Sequence, residues 1–511
     1  MQHRHNGHSV PSRTLRRWTR CSLLSVRIRL SYCLCVLSLS LFVSLSLARL
    51  PLTAHRSPLT AHRPVVGPHC RTRTLSTSLR TLRGLRRGAL PLACFFNDST
   101  TASFFQAPHI RGSGNNQDDM SAVGRITESQ NELTTSIDVA GARSIVRLLR
   151  GSDAQLFAGY GALDSIYDAP TTEAAEQIAE LVSAGLARSL VGSDGGGALH
   201  VVLSGSGTSG RFAFTTARAM NRTFGACLKA AAHGVVRAHF HYCNSGGDRG
   251  LLRESEGAED SPSLALADLQ AVEARTGSSD RLLLVGISCG FSAGYVGAQL
   301  AHAMDNPARY AGVVALGFNP RERVQRVQLP GWGATFRDVL DRLAEGDVHA
   351  EQLRLVWSPV VGPEPISGST RMKGGSATKV LLDTSLNLAI VSAVQRMVEG
   401  SDSAAKPSVA SLLAEFETAS RCAYAPAAVA QLAQLAKLAA DALRQRGRLV
   451  YLGEGPAGLL GIVDASVSRR QCARNSSPRA PLISSPAAPT CCSLVCARRN
   501  ALQRMAPRSR M

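Results

Sequence analysis

The stretch LHVVLSGSGTSG, residues 199–210, decides the reading of this chain. Leu199–Leu203 is a short apolar run, the signature of a strand buried on both faces of a parallel sheet. It breaks into Ser204-Gly205-Ser206-Gly207-Thr208-Ser209-Gly210, and a helical stretch over Arg211–Asn221 follows. Glycines let backbone approach a ligand closely, and free N–H groups at a helix start favour an anion. The hydroxyls of Ser206, Thr208 and Ser209 add donors, so the segment reads as a phosphate cradle built without lysine. Gly205, Gly207 and Gly210 also fit the GxGxxG dinucleotide fingerprint, which calls for an acidic residue at the end of the next strand, about 20 residues on. The next strand candidate, Gly234–Cys243, contains no Asp or Glu. A third reading is a tight strand-to-helix turn without a ligand. A phosphorylated small molecule accounts best for the glycines and hydroxyls together.

The net charge of +20 suggests a nucleic-acid binder until it is located. Residues 1–110 hold 16 Arg, no Lys and one acid, Asp98, and residues 467–511 hold 9 Arg with neither Lys nor acid. The middle, 111–466, therefore carries −4, and it lacks the basic face that nucleic-acid binding requires. The two ends are compositionally foreign: lysine-free, rich in Ser, Leu, Pro and Cys, with the near-duplicate PLTAHRSPLTAHRP at 51–64. Residues 32–49, an apolar, serine-rich run behind arginines, read as a signal sequence or an anchor, and an Arg-rich, acid-poor start also suits a transit peptide. Disorder or a gene-model artefact is the other reading of 1–110. A membrane partner is expected only if residues 32–49 are a real anchor. Nine of the thirteen cysteines lie in these ends. Cys227, Cys243, Cys289 and Cys422 in the middle show no metal-ligand spacing, so a reduced, intracellular core with no metal and no cofactor is expected.

Five strand candidates, Leu199–Leu203, Val235–Tyr242, Arg281–Ile287, Gly312–Gly317 and Leu353–Val360, alternate with helical periodicity. Helices are expected over Ile137–Leu149, Thr172–Leu190, Ser292–Met304, Thr335–Ala344, Thr370–Val398, Ser408–Cys422 and Ala427–Arg446. This alternation predicts an α/β fold, a doubly wound five-stranded parallel sheet with flanking helices and a ligand beyond the C-terminal strand ends. Arg448–Leu452 and the glycine-rich 453–458 then read as the start of a second copy.

Four loops carry the chemistry: the cradle, Glu256-Gly257-Ala258-Glu259-Asp260, Gly286-Ile287-Ser288-Cys289-Gly290-Phe291-Ser292, and the run from Gly362 to Gly375 that contains Ser369-Thr370-Arg371. Singly, an acidic run is a solvated turn and a serine before a helix is an N-cap. In this order, GSGTSGR, EGAED and GSTRMKGGSATK resemble the sugar isomerase (SIS) domain as it occurs in the glucokinase regulatory protein family and in the N-acetylmuramic acid 6-phosphate etherases. The resemblance runs from Thr127 to about Ser466. It implies a phosphosugar site formed by Ser206, Gly207, Thr208, Ser209, Gly210, Glu259, Ser288, Cys289, Gly290, Ser369, Thr370 and Arg371.

The etherase branch implies two catalytic glutamates. Its segment DASECPPTFG corresponds here to 216–225, which puts Ala219 where one glutamate belongs, and alanine transfers no proton. The other corresponds to Glu259, here expected to bind sugar hydroxyls. The runs 286–293, 316–320 and 371–379 look more like the regulatory branch. That branch implies a non-enzymatic, cytoplasmic or nuclear switch: a hexose phosphate such as fructose 6-phosphate or fructose 1-phosphate biases a conformation that inhibits a glucokinase or other hexokinase-type enzyme. The alternative is an etherase-like lyase cleaving a lactyl ether.

The expected organisation is therefore 1–110 as an Arg-rich region, 124–400 as the first SIS domain, 401–446 as a helical connector and 447–466 as the start of a truncated second SIS domain. The tail 467–511 reads as translated intron or a frame error, since Val467-Ser468 is what a splice-donor-like sequence encodes. The strand from Arg448 is expected to lack partners.

Overall fold

A computed structural model describes residues 124–191, 197–230, 238–252, 257–346, 352–399, 407–445, 447–452, 461 and 492–494. The readings of 1–110, of the apolar run 32–49, of the strand start at Val235, of Glu256 and of nearly all of the tail lie outside these residues.

Two helices, α1 (Ala142–Ala158) and α2 (Ala169–Val191), precede β1 (Leu199–Gly205) and α3 (Gly207–Ala230). Then come β2 (Phe240–Asn244), α4 (Gly247–Leu252), α5 (Pro262–Glu273), β3 (Arg281–Ile287), α6 (Gly294–Asp305), β4 (Tyr310–Leu316), α7 (Phe336–Ala344) and β5 (Leu353–Trp357). The five strands pair in parallel in the order β2-β1-β3-β4-β5. Strand order reverses between β1 and β3, and such a switch point opens a crevice beyond the carboxyl ends of those strands.

The sheet is covered on both faces, which is why its strands read as continuous apolar runs. The two-residue period sends Val201, Leu203, Leu283, Val285 and Ile287 into one core, and Val202, Leu282 and Leu284 into the other. The first core is completed by α2, α3 and α8 (Lys373–Glu399), the second by α5, α6 and α7. The Lys373–Met397 stretch of α8 is long and apolar enough to cross a membrane, but 89% of its most apolar window is buried here, as befits a central core helix. Thr335 and Asp338 start α7 with a reciprocal capping box. Ser408 caps α9 (Val409–Tyr424), and α10 (Pro426–Arg444) follows.

Several expected bounds shift. Strand β2 runs to Asn244, two residues beyond Tyr242, whereas β5 stops at Trp357 instead of Val360. The helix expected from Ile137 starts at Ala142, behind a 3-10 turn over Ile137–Val139. The helix expected from Arg211 begins at Gly207, so Gly207, Thr208, Ser209 and Gly210 form its first turn. The strand after α10 is not left unpaired: β6 (Leu449–Tyr451) pairs in parallel with β7 (Cys492–Leu494) of the tail.

Candidate functional site

The cradle's glycines divide by role. A Cβ at Gly210 would fall 1.9 Å from Asn244 Oδ1, so this glycine lets α3 pack against the end of β2. Gly207 has φ +54°, a left-handed conformation, and nothing lies within 4 Å of its would-be side chain. Gly210 donates to Ser206 O at 3.3 Å, closing the turn. The N–H groups of Gly207, Thr208 and Ser209, by contrast, meet no protein acceptor among the described residues. Ser206 Oγ is buried and has no hydrogen-bond partner there either.

Across the switch point stands the loop after β3. Ser288 Oγ accepts from the N–H groups of Ser292 at 3.1 Å and Ala293 at 3.4 Å. Both acceptor positions of this hydroxyl are then filled, and its O–H can only donate. Phe291 takes φ +53°, a left-handed conformation costly for a side-chain-bearing residue, with its ring buried beneath the loop. Asn319 holds the loop to the N-terminal segment, donating to Thr127 Oγ1 at 3.0 Å and to Gly290 O at 3.5 Å. Cys289 Sγ lies 3.8 Å from Ser209 Oγ and 3.9 Å from Thr378 Oγ1 on α8. Burial pushes this thiol up to about 11, so it is a packing group and not a thiolate nucleophile.

The contacts through Cys289 bring three of the four expected loops together. In the fourth run, Ser369, Thr370 and Arg371 are half-buried just ahead of α8, and Thr370 O packs near Gly375, itself against Phe212 of α3. The Nε of Arg371 is buried without a hydrogen-bond partner among the described residues. Glu259 sits apart from these contacts: it is exposed, on the 3-10 turn Ala258–Asp260 that adjoins the start of α6.

Sequence reading missed Glu364 and Lys373, both wholly buried. Glu364 accepts from the N–H groups of Lys373 at 2.7 Å and Gly374 at 2.8 Å, so the first turn of α8 already holds a carboxylate. The Lys373 ammonium donates to Gln155 Oε1 at 3.0 Å. Burial raises the Glu364 carboxyl and lowers the Lys373 ammonium, each partly offset by the other's charge. A glutamate behind Gly362-Pro363 and nine residues ahead of a helical lysine carries no local signal of such pairing. Among the described residues no group of three His, Cys, Asp or Glu side chains is arranged to hold a metal ion.

Residues 177–304 match the family model for the N-terminal SIS domain of glucokinase regulatory protein. The human glucokinase regulatory protein is 34% identical over 339 residues, covering 66% of this chain and 51% of that protein. That of Xenopus laevis is 34% identical over 340 residues, with the same two shares, 66% and 51%. The N-acetylmuramic acid 6-phosphate etherase of Pectobacterium atrosepticum is 26% identical over 258 residues, 50% of this chain and 66% of the enzyme. The chain spans about half the length of the regulatory proteins it matches. The chain, with its five-stranded parallel sheet and flanking helices, is thus similar over residues 177–304 to the N-terminal SIS domain of glucokinase regulatory protein and, more distantly, to the N-acetylmuramic acid 6-phosphate etherases.

Proposed function

We propose that the crevice at the switch point binds the phosphate of a hexose phosphate, fructose 6-phosphate or fructose 1-phosphate, and that the chain uses it to control a hexokinase-type enzyme. The observation that carries this reading is the unfilled first turn of α3. Among the described residues its amides lack acceptors, and the buried Ser206 Oγ beside them lacks a partner. Backbone N–H groups and a helix dipole converge there on a place for an anion. Thr208 and Ser209 add hydroxyl donors, Ser288 offers a hydroxyl that can only donate, and Arg371 supplies a cation with an unspent Nε–H. Gly290 and Cys289 shape the floor, Ser369 and Thr370 the wall, and Glu259 accepts from sugar hydroxyls. The sugar acts as an effector: it shifts the protein between conformations only by its differential affinity for them.

The etherase reading is the second one, and two observations weigh against it. Ala219, standing where the branch has a glutamate, is packed in the core with no proton to transfer. Helix α3 also runs unbroken from Gly207 to Ala230, across the position where the etherase segment has two prolines. Incubation with N-acetylmuramic acid 6-phosphate is expected to release no lactate.

Thermal denaturation of the full chain tests the ligand. Either fructose phosphate at a hundredfold excess over Kd should add about 2.7 kcal/mol of stability, whereas fructose and NAD add none. Arg371→Ala should remove the effect. A melting curve moved by NAD and indifferent to sugar phosphates would restore the dinucleotide reading. Inhibition of a hexokinase-type enzyme by the chain, changed by the same sugar phosphate and not by fructose, tests the regulatory half.

A further inference from the structure

Away from the switch point, an open cavity of about 280 Å³ lies against the outer edge of β2. Its walls include Arg218 and Asn221 of α3, His241 of β2, Asp248 of α4, Asp268 of α5 and Arg275 just beyond α5. Both arginines are exposed at its rim, and the Arg218 guanidinium lies 5.6 Å from the centre of the Phe214 ring. Each aspartate is held by a tyrosine: Tyr242 Oη donates to Asp248 Oδ1 at 2.5 Å, and Tyr295 Oη to Asp268 Oδ2 at 2.7 Å. One oxygen of each carboxylate is thereby engaged, and its other oxygen keeps its acceptor capacity.

No ion pair or hydrogen bond joins either arginine to either aspartate among the described residues. Two positive and two negative groups thus face one cavity without neutralising each other. Nor is the cavity a berth for an added strand at this end. Asn221 already occupies the outer backbone groups of Phe240, donating to its O at 2.7 Å and accepting from its N–H at 3.1 Å. A simple anion placed here meets the aspartates, and a simple cation meets the arginines. A molecule bearing both charges satisfies both walls, and the volume, near the low end of ligand pockets, suits a compact one.

We propose that this cavity binds a small zwitterion of the α-amino acid class, with its carboxylate on Arg218 and Arg275 and its ammonium on Asp248 and Asp268. The site is independent of the phosphosugar crevice. Arg218 lies eleven residues beyond Gly207 on the same helix, a rise of roughly 16 Å.

The test is calorimetric titration of the full chain with the twenty free amino acids. Acetate, methylamine and inorganic phosphate serve as single-charge controls. At least one amino acid should bind, and its N-acetyl and methyl ester derivatives, each lacking one charge, should bind about tenfold more weakly or worse. Arg275→Gln, an exposed position that spares the fold, and Asp268→Asn should each weaken binding by about tenfold. Arg371→Ala, in the other site, should leave it unchanged while abolishing any sugar-phosphate effect, so the two readings fail separately. The proposal is overturned if no amino acid binds, if acetate or phosphate binds as well as the best amino acid, or if Arg275→Gln binds like the unaltered chain.

Discussion

Helices α3 and α8 both begin beside Cys289, beyond the carboxyl ends of the strands, yet their first turns are completed in opposite ways. At α8 the protein supplies its own anion: Glu364 takes the N–H groups of Lys373 and Gly374. At α3 the corresponding groups meet no acceptor among the described residues, and the adjacent buried Ser206 hydroxyl has no partner there either. The same dipole physics is spent on the fold in one helix and held in reserve in the other. An unfilled helix start therefore says more about function than a glycine-rich spelling does. The run leading into α8 also carries glycines and hydroxyls, and its helix start is closed.

The largest expected effect breaks the closed end. Glu364→Ala removes acceptors from two buried amides and takes away one of the two negative charges, with Asp153, that offset the burial of the Lys373 ammonium. Removing one partner of a buried charge pair costs about 3–5 kcal/mol, to be read from urea unfolding of the full chain. At the open end, Ser206→Ala should change stability by less than about 1 kcal/mol, because the hydroxyl it removes is unsatisfied in the fold. Equal losses at both positions would erase the distinction between the helices.

A second substitution separates the glycines of the cradle. Gly210→Ala drives a methyl group against Asn244 Oδ1, and Asn244 is itself tied to Gly247 O by a 2.8 Å hydrogen bond. Overpacking of this kind costs about 1–3 kcal/mol, visible as a lowered Tm. Gly207→Ala meets no atom, so it should cost only the left-handed backbone penalty, about 1–2 kcal/mol. On binding rather than stability, Ser209→Ala should weaken the sugar phosphate by roughly one hydrogen bond to a charged group, about 1.5–3 kcal/mol or less, with little change in Tm.

Much of the fold was legible because its strands are buried on both faces. Arg281–Ile287 is bounded by polar residues on one side and a Ser-Cys-Gly turn on the other, and its observed bounds match the expected ones. The start of α3 was not legible. Gly-Thr-Ser-Gly is poor helix sequence, but a first turn needs no internal N–H partners, so tertiary packing around Gly210 sets it. The convergence of Ser209, Cys289 and Thr378 depends on the strand order, which places β3 beside β1 after the chain has passed through β2 on the other side. No local pattern states that. For Glu259 the sequence motif is the signal, and the structure places it exposed on its own 3-10 turn beside the start of α6.

The smallest effect lies at the other ends of the same strands, where polar groups pair with each other. His200 Nδ1 lies 3.0 Å from His241 Nε2, and His200 Nε2 lies 3.1 Å from Asp280 Oδ2. His239 Nδ1 sits 3.0 Å from Leu199 O, with its ring stacked on that of His200 at 5.2 Å. Burial, and then the positive charge that His200, Arg275 and His239 present or would present, lower His241 from its ordinary 6.5 to about 4, while Asp248 and Asp268 face it across the cavity. The unfolded chain therefore takes up this proton first as pH falls. The stability from a neutral His241 is complete above about pH 6.5 and drains away as pH drops toward 4, by about 1 kcal/mol at pH 5.5. His241→Gln should flatten that slope in denaturation measured from pH 7.5 to 5, whereas Arg371→Ala should leave it intact. An unchanged slope in His241→Gln would move the acid sensitivity elsewhere, and the contrast between the two ends of the sheet would fail.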